Sequence, residues 1–419
     1  MKSFSNLKQK IYSTLRWSEQ YTKTDMVYLA KGGFWLTAGQ VVSSLSSFLL
    51  AIAFANLLPQ ETYGTYKYVL SVAGILAIPT LSGINTAITQ AVARGYEGSL
   101  IPALKTKICW GLLGALASIT IAGYYFINDN ITLTISFLII SVFIPLISSF
   151  GIYSTFLQGK KRFDVSAKYQ IISQIIAIAV LITTIFLTKN IFLILLSYFI
   201  PWTLLRFIFF KITVEKFPPN QSEDPQTIIY GKHLSLINII GTIVQQIDKI
   251  LIFHYLGPVK LAIYSIALAP PEQIKSLLSN LGALVLPKFS QRSRDEIKKA
   301  LFPKMLKFAL VIVLITIIYI VVAPFIYKIF FPQYIGSIIF SQIFAISLIG
   351  TIIILPHSAL QSQKAQKELY VLNIAGPLVQ LLLLIVAIYF YGLLGAILVR
   401  VFIRIFNSLF AYWLIQKNS

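Results

Sequence analysis

The sequence predicts an all-α polytopic membrane protein with twelve transmembrane helices in two pseudo-symmetric six-helix lobes. Three observations carry that prediction: the composition, the number of apolar runs, and the alternation of basic residues between loops. Of the 419 residues, 57% are apolar and 12% charged, and the mean hydropathy is +0.79. Soluble domains sit near ~45–50% apolar and ~25% charged. A water-soluble fold and intrinsic disorder are therefore both excluded.

Each crossing of a bilayer takes about 20 mostly apolar helical residues. Such runs cover 34–57, 66–93, 108–127, 131–157, 169–188, 191–210, 233–255, 261–287, 305–330, 337–362, 370–391 and 393–415. Several contain Gly or Pro, which intramembrane helices tolerate when neighbours re-satisfy the freed backbone groups. With the N-terminus in the cytoplasm, the loops on that side carry 26 Lys and Arg, whereas the opposite loops carry only Lys189, Lys260 and Lys328. One missed span would collapse this split, so both termini are placed in the cytoplasm. The same split accounts for a net charge of +21 without invoking nucleic acid.

The N-terminal segment, 1–30, is polar, and the first long apolar run starts at Phe34, so no signal peptide is expected. Phe4, Leu7, Ile11 and Leu15 recur at helical spacing among Lys8, Lys10 and Arg16. That pattern suits either a helix lying on the cytoplasmic membrane surface or a basic tail serving topology alone. The spans divide into an N-lobe, 31–210, and a C-lobe, 233–419, joined by a cytoplasmic linker, 211–232, with the strongly polar stretch Phe217 to Pro225. A shift of 198 residues sets Leu58 to Tyr66 on Leu256 to Tyr264, with Leu and Tyr matching at the two ends. Six spans per half preserve orientation, so the repeat is parallel, and such repeats place a substrate site between lobes that rock to give alternating access.

Charges inside spans are costly, so they pair or line a pathway. Here they are Lys67, Arg206, Asp248, Lys249, Glu272, Lys275, Arg400 and Arg404, a net +4. Lys67, near the outer end of its span, either snorkels or lines a path. Arg206, a turn from the cytoplasmic end, serves either topology or a site. Glu272 and Lys275 are spaced for an intrahelical pair just after Pro270 and Pro271, which should break or kink the eighth span. Asp248 and Lys249 lie too deep for easy escape to headgroups. Arg400 and Arg404, at i,i+4, share one helical face, and spans nine to twelve contain no acid to neutralise them. A water-filled cavity or an anionic ligand is the favoured reading, with pairing to Asp248 or Glu272 as the alternative. Guanidinium forks suit phosphate oxygens. Gln40, Gln90, Gln174, Gln245, Gln246 and Gln380 add hydrogen-bonding capacity suited to sugar hydroxyls or to helix–helix bonds.

Other chemistries find no support. Cys109 is the sole cysteine and His233, His254 and His357 are scattered, so neither a disulfide nor a metal site is expected. The sequence has no Walker A loop and no loop long enough for a catalytic domain, so neither an enzyme nor a cofactor is expected.

Lys31-Gly32-Gly33, then Leu58-Pro59 through Tyr63-Gly64-Thr65-Tyr66, resemble the polysaccharide exporters of the multidrug/oligosaccharidyl-lipid/polysaccharide (MOP) superfamily. In the second half Gln246-Ile247-Asp248-Lys249-Ile250-Leu251-Ile252, Leu256-Gly257 and Ile263-Tyr264-Ser265-Ile266-Ala267 extend the resemblance, which covers nearly the whole chain. It is strongest to the Wzx-type O-antigen and capsule flippases. The resemblance implies transport of undecaprenyl-diphosphate-linked oligosaccharides across the bacterial inner membrane through a cationic cavity between the lobes. It also implies coupling to H+ or Na+ and work beside other polysaccharide-assembly proteins. Substrate binding is then expected at Arg400, Arg404, Lys249, Lys275, Lys67 and Arg206, and ion coupling at Asp248 and Glu272. The alternative from the same superfamily is an ion-coupled multidrug antiporter. Drug exporters often carry an acid in the first span, which is absent between Gly33 and Leu58.

Overall fold

The computed structural model describes residues 26–279, 289, 294–363 and 365–417. The residues expected to form a surface helix, 4–16, lie outside these. Among the described residues the chain is helical, with short connections and no strand. The first helix, α1 (Met26–Leu57), stops short of Pro59, which precedes α2 (Gln60–Leu76). After α2 comes a 3-10 turn at Ile78–Thr80, then α3 (Gly83–Ala93). The second expected span is thus present but bent by 43°. Pro79 supplies no N–H to the helix ladder, and Leu81 adopts a left-handed φ of 56°, which ends the helix there.

The remaining helices of the first half are α4 (Leu100–Ile127), α5 (Ile131–Phe150), α6 (Ile152–Gly159), α7 (Phe163–Leu187) and α8 (Ile191–Lys216). Asn130 and Asn190 cap α5 and α8 by accepting from Leu133 N–H at 3.0 Å and Phe192 N–H at 2.9 Å. The second half comprises α9 (Gln226–Leu256), α10 (Pro258–Ser279), α11 (Arg294–Phe330), α12 (Ile338–Ala345), α13 (Ile354–Ser362) and α14 (Gln366–Lys417). Several helices extend beyond the apolar runs that announced them, because hydropathy finds only the lipid-embedded core of a helix whose polar ends continue.

Of the two outcomes expected at the double proline, a break does not occur, since α10 runs as one helix through Pro270 and Pro271. Pro270 has no N–H for the carbonyl of Ile266, and Tyr327 Oη from α11 donates to that oxygen at 2.9 Å instead. The separation expected between the runs 370–391 and 393–415 is present within α14. At Gly392, φ is +55° and ψ −132°, a conformation open to glycine and strained for other residues. Gly376 lies against Asn407 and Gly395 against Ala387, so the two arms run back alongside each other.

Nine helices among the described residues are long and apolar enough to cross a membrane, or ten with the bent pair counted as one span. Counted from ten, the difference from the expected twelve has two sources. The α14 hairpin enters that count once, and α10, which carries Lys260, Pro270, Pro271, Glu272, Gln273 and Lys275, does not enter it.

The two halves meet where α2 packs on α10 and α3 on α9. Tyr63, Tyr66 and Tyr264 are fully buried at this seam. A Cβ on Gly64 would lie 1.9 Å from the carbonyl oxygen of Pro258, so only glycine permits this approach. Asn56 Nδ2 donates to the Phe330 carbonyl at 2.8 Å and Gln60 Nε2 to that of Gln333 at 2.9 Å, closing the same end. Toward α3, Gly83 N–H donates to Ser235 Oγ at 2.9 Å. Leu310, Leu314, Ile317 and Val321 of α11 are exposed, as residues facing lipid should be.

Candidate functional site

A cavity of about 760 Å³ lies between the two halves. α1 and α2 supply Phe54, Tyr63 and Lys67; α9 supplies Gln245, Gln246 and Lys249; α10 supplies Glu272 and Lys275; α14 supplies Gln380, Arg400 and Arg404. Of the six cations expected to bind substrate, the fold therefore gathers five on one wall.

The i,i+4 spacing of Arg400 and Arg404 does put both on one face, but that face is not free of acids. Arg400 Nη2 is 2.9 Å from Asp248 Oδ2 and Nη1 is 3.5 Å from Glu272 Oε1. Arg404 Nη2 pairs with the same Glu272 oxygen, Nη1 donates to Ser347 Oγ at 2.9 Å, and the guanidinium sits 4.8 Å over the Phe344 ring. The argument from missing acids in spans nine to twelve is thereby corrected. The acids come from α9, on which α14 packs, and from α10, and they are the two that the alternative reading named, Asp248 and Glu272.

Glu272 also receives Lys275 Nζ at 3.6 Å, the intrahelical pair the spacing predicted. One carboxylate thus answers to three cations. Asp248 is 0% exposed and stands behind the wall, accepting from Tyr264 Oη at 2.5 Å and ion-paired with Arg400. Neither Asp248 Oδ1 nor Arg400 Nε has a hydrogen-bond partner, so only one end of each group is engaged. Lys249 Nζ donates to Gln246 Oε1 at 2.9 Å, and Lys67 Nζ lies 5.3 Å over the Tyr63 ring. Five cations against two carboxylates leave the cavity at +3. The lining glutamines Gln245, Gln246 and Gln380 are polar but uncharged.

Arg206 is not part of this wall. It lines a second cavity, built mostly by the first half with Thr242 of α9 also on its wall, together with Lys107. Lys107 escaped the sequence reading because it directly precedes the apolar run 108–127 and so resembles an ordinary cytoplasmic flank. Tyr264 was likewise noticed only as part of the resemblance. His254 Nε2 lies 3.1 Å from Tyr68 Oη, a structural bond. No cluster of three His, Cys, Asp or Glu suited to a metal occurs among the described residues.

The fold is shared with solved transporters of the MOP superfamily. An outward-facing MATE-family multidrug resistance transporter of that superfamily has a TM-score of 0.61 at 12% identity, over 93% of this chain and 97% of its own. A MOP superfamily transporter from Pyrococcus furiosus, described as having a binding pocket of reverse polarity, gives 0.61 at 12%, over 93% and 94%. The lipid II flippase MurJ in an inward closed conformation gives 0.66 at 13%, over 91% and 87%. The family profile described as "Polysaccharide biosynthesis protein" matches residues 29–293, and the chain belongs to that family. No curated protein matches it in sequence.

Proposed function

We propose that this protein flips undecaprenyl-diphosphate-linked oligosaccharide units across the bacterial inner membrane, for O-antigen, capsule or exopolysaccharide assembly. The observation that carries the proposal is the +3 cavity between the halves, built around Arg400 and Arg404. A diphosphate leaving water needs its charge met by fixed donors, and guanidinium forks meet phosphate oxygens with directional hydrogen bonds. Glu272 holds both forks while the site is empty of anion, and an arriving diphosphate competes with it for them. The glutamines and the ring of Tyr63 suit the first sugars. Membership of a polysaccharide biosynthesis family and the likeness in fold to a lipid II flippase support the same reading. The end at Gly64 and Pro258 is sealed, so rocking of the halves about the α2–α10 seam would open the cavity to one leaflet at a time. Asp248 and Glu272, the acids that release or hold the arginines, are where a coupling H+ or Na+ would act. Both termini face the cytoplasm in this scheme, on the side where other polysaccharide-assembly proteins would meet the chain.

The test is a deletion strain complemented with each variant at matched protein levels. Deletion should strand lipid-linked repeat units on the cytoplasmic leaflet and remove surface glycan. Arg404→Ala should restore little glycan and Arg404→Lys only part, because the ammonium keeps the charge and loses the fork. Unchanged glycan on deletion, together with reduced efflux of cationic dyes, would overturn the proposal in favour of a drug antiporter.

A further inference from the structure

The second cavity has a volume of about 430 Å³ and shares no lining residue with the central one, although Gly74 on its wall lies against Gln246 of the other. The bend between α2 and α3, the junction of α5 with α6, residues of α4 and α8, Gln170 of α7 and Thr242 of α9 line it. Its two charged groups, Lys107 and Arg206, are both cations, and no carboxylate lines it. Lys107 is 1% exposed and forms no ion pair or hydrogen bond with another described residue. Arg206 donates from Nη1 to the Ile147 carbonyl at 2.7 Å and stacks 5.1 Å over Trp202. Its Nε and Nη2 make no hydrogen bond with another described residue. The carbonyl and the indole ring hold the guanidinium in place without neutralising it. Asn85, also on the wall, has a side-chain oxygen with no partner.

We propose that this cavity is a second anion site, which takes a phosphate-type oxyanion between Lys107 and Arg206. Two like charges held together away from water repel each other, and an anion between them removes both that repulsion and their lost hydration. The donor set selects the class. A guanidinium edge, an ammonium and the hydroxyl of Ser148 line the space, a donor set that suits an ion with several acceptor oxygens. The space also exceeds what a monatomic anion of about a water's volume, roughly 30 Å³, would fill. The site does not rest on the flippase reading, because none of its residues lines the central cavity. A phosphorylated lipid headgroup and a free phosphate or pyrophosphate share the required chemistry.

Trp202 provides a local reporter. With Trp17, Trp35, Trp110 and Trp413 replaced by Phe, the full chain in detergent is titrated with inorganic pyrophosphate, farnesyl diphosphate or chloride at matched ionic strength. Pyrophosphate should change Trp202 emission saturably, and chloride should not. Lys107→Gln and Arg206→Gln should each weaken the response about tenfold or more, as expected for a lost charged hydrogen bond. Lys107→Arg, which keeps the charge, should retain it. Tighter binding of farnesyl diphosphate than of pyrophosphate assigns the site to a lipid headgroup, and equal binding assigns it to a free anion. The proposal is overturned if neither diphosphate gives a saturable change. It is equally overturned if Lys107→Gln titrates like its parent, or if Lys107→Arg is as weak as Lys107→Gln.

Discussion

The two cavities hold buried cations by opposite means. In the central cavity Arg400 and Arg404 lean on Asp248 and Glu272 from neighbouring helices. In the second cavity Lys107 and Arg206 pair with no acid among the described residues; a carbonyl and an aromatic ring hold Arg206, and Lys107 is buried. The paired site is stiff and self-supporting, since each arginine has a partner whether or not a ligand is present. The unpaired site carries electrostatic strain that only an anion relieves. Removing a charge should therefore have opposite consequences for folding in the two places.

The largest effect is expected in the paired site. Arg400→Ala leaves Asp248 charged and fully buried, and should cost about 3–5 kcal/mol of stability. The measurement is thermal unfolding of the purified protein in detergent, and adding Asp248→Asn should recover much of the loss. If the single variant unfolds like the parent, the pair does not support the fold. A smaller effect is expected from Tyr264→Phe, which deletes the 2.5 Å bond to Asp248. A hydrogen bond to a charged group contributes about 1.5–3 kcal/mol, and a shift at the upper end would mean that Asp248 depends on the hydroxyl as much as on Arg400.

The contrast is tested most directly by Lys107→Met, which replaces an unpartnered buried ammonium with an apolar chain of similar length. Without anion, this variant should be as stable as the parent or more stable by about 1 kcal/mol, because burying an unpaired charge is itself costly. Clear destabilisation would show that Lys107 has a supporting role like that of Arg400. The smallest change is expected outside the membrane-spanning region. Arg94, 60% exposed, pairs with Asp224 at 2.6 Å, and Arg94→Ala should cost under about 1 kcal/mol, less in high salt. A larger loss would mean that the linker depends on this contact more than on the backbone bonds Gly98 N–H to Ser222 O, at 3.0 Å, and Asp224 N–H to Ser99 Oγ, also at 3.0 Å.

Much of the fold was legible in the sequence because a bilayer imposes one requirement on every crossing segment. Each must be apolar for about 20 residues and satisfy its own backbone. The bend at Pro79 and Leu81 was hidden within one continuous apolar run, since hydropathy does not register a lost donor. What becomes of the carbonyl left free by Pro270 was hidden for the converse reason. Proline reports the donor it removes, but the replacement donor, Tyr327 Oη, lies 57 residues further along the chain.

The candidate site divides along the same line. Composition and periodicity by themselves determined the membrane class, the helical architecture and the short list of charges too deep to be accidental, because burial cost and helical spacing are local properties. Which of those charges meet was decided by tertiary structure alone. Arg400 finds Asp248 across 152 positions, and Arg404 shares Glu272 with Lys275. Arg206 leaves that group for a cavity where its neighbour is Lys107, a residue that read as a loop flank. Coulomb interactions depend on distance in space and on the local dielectric, and neither is written in the order of residues along the chain.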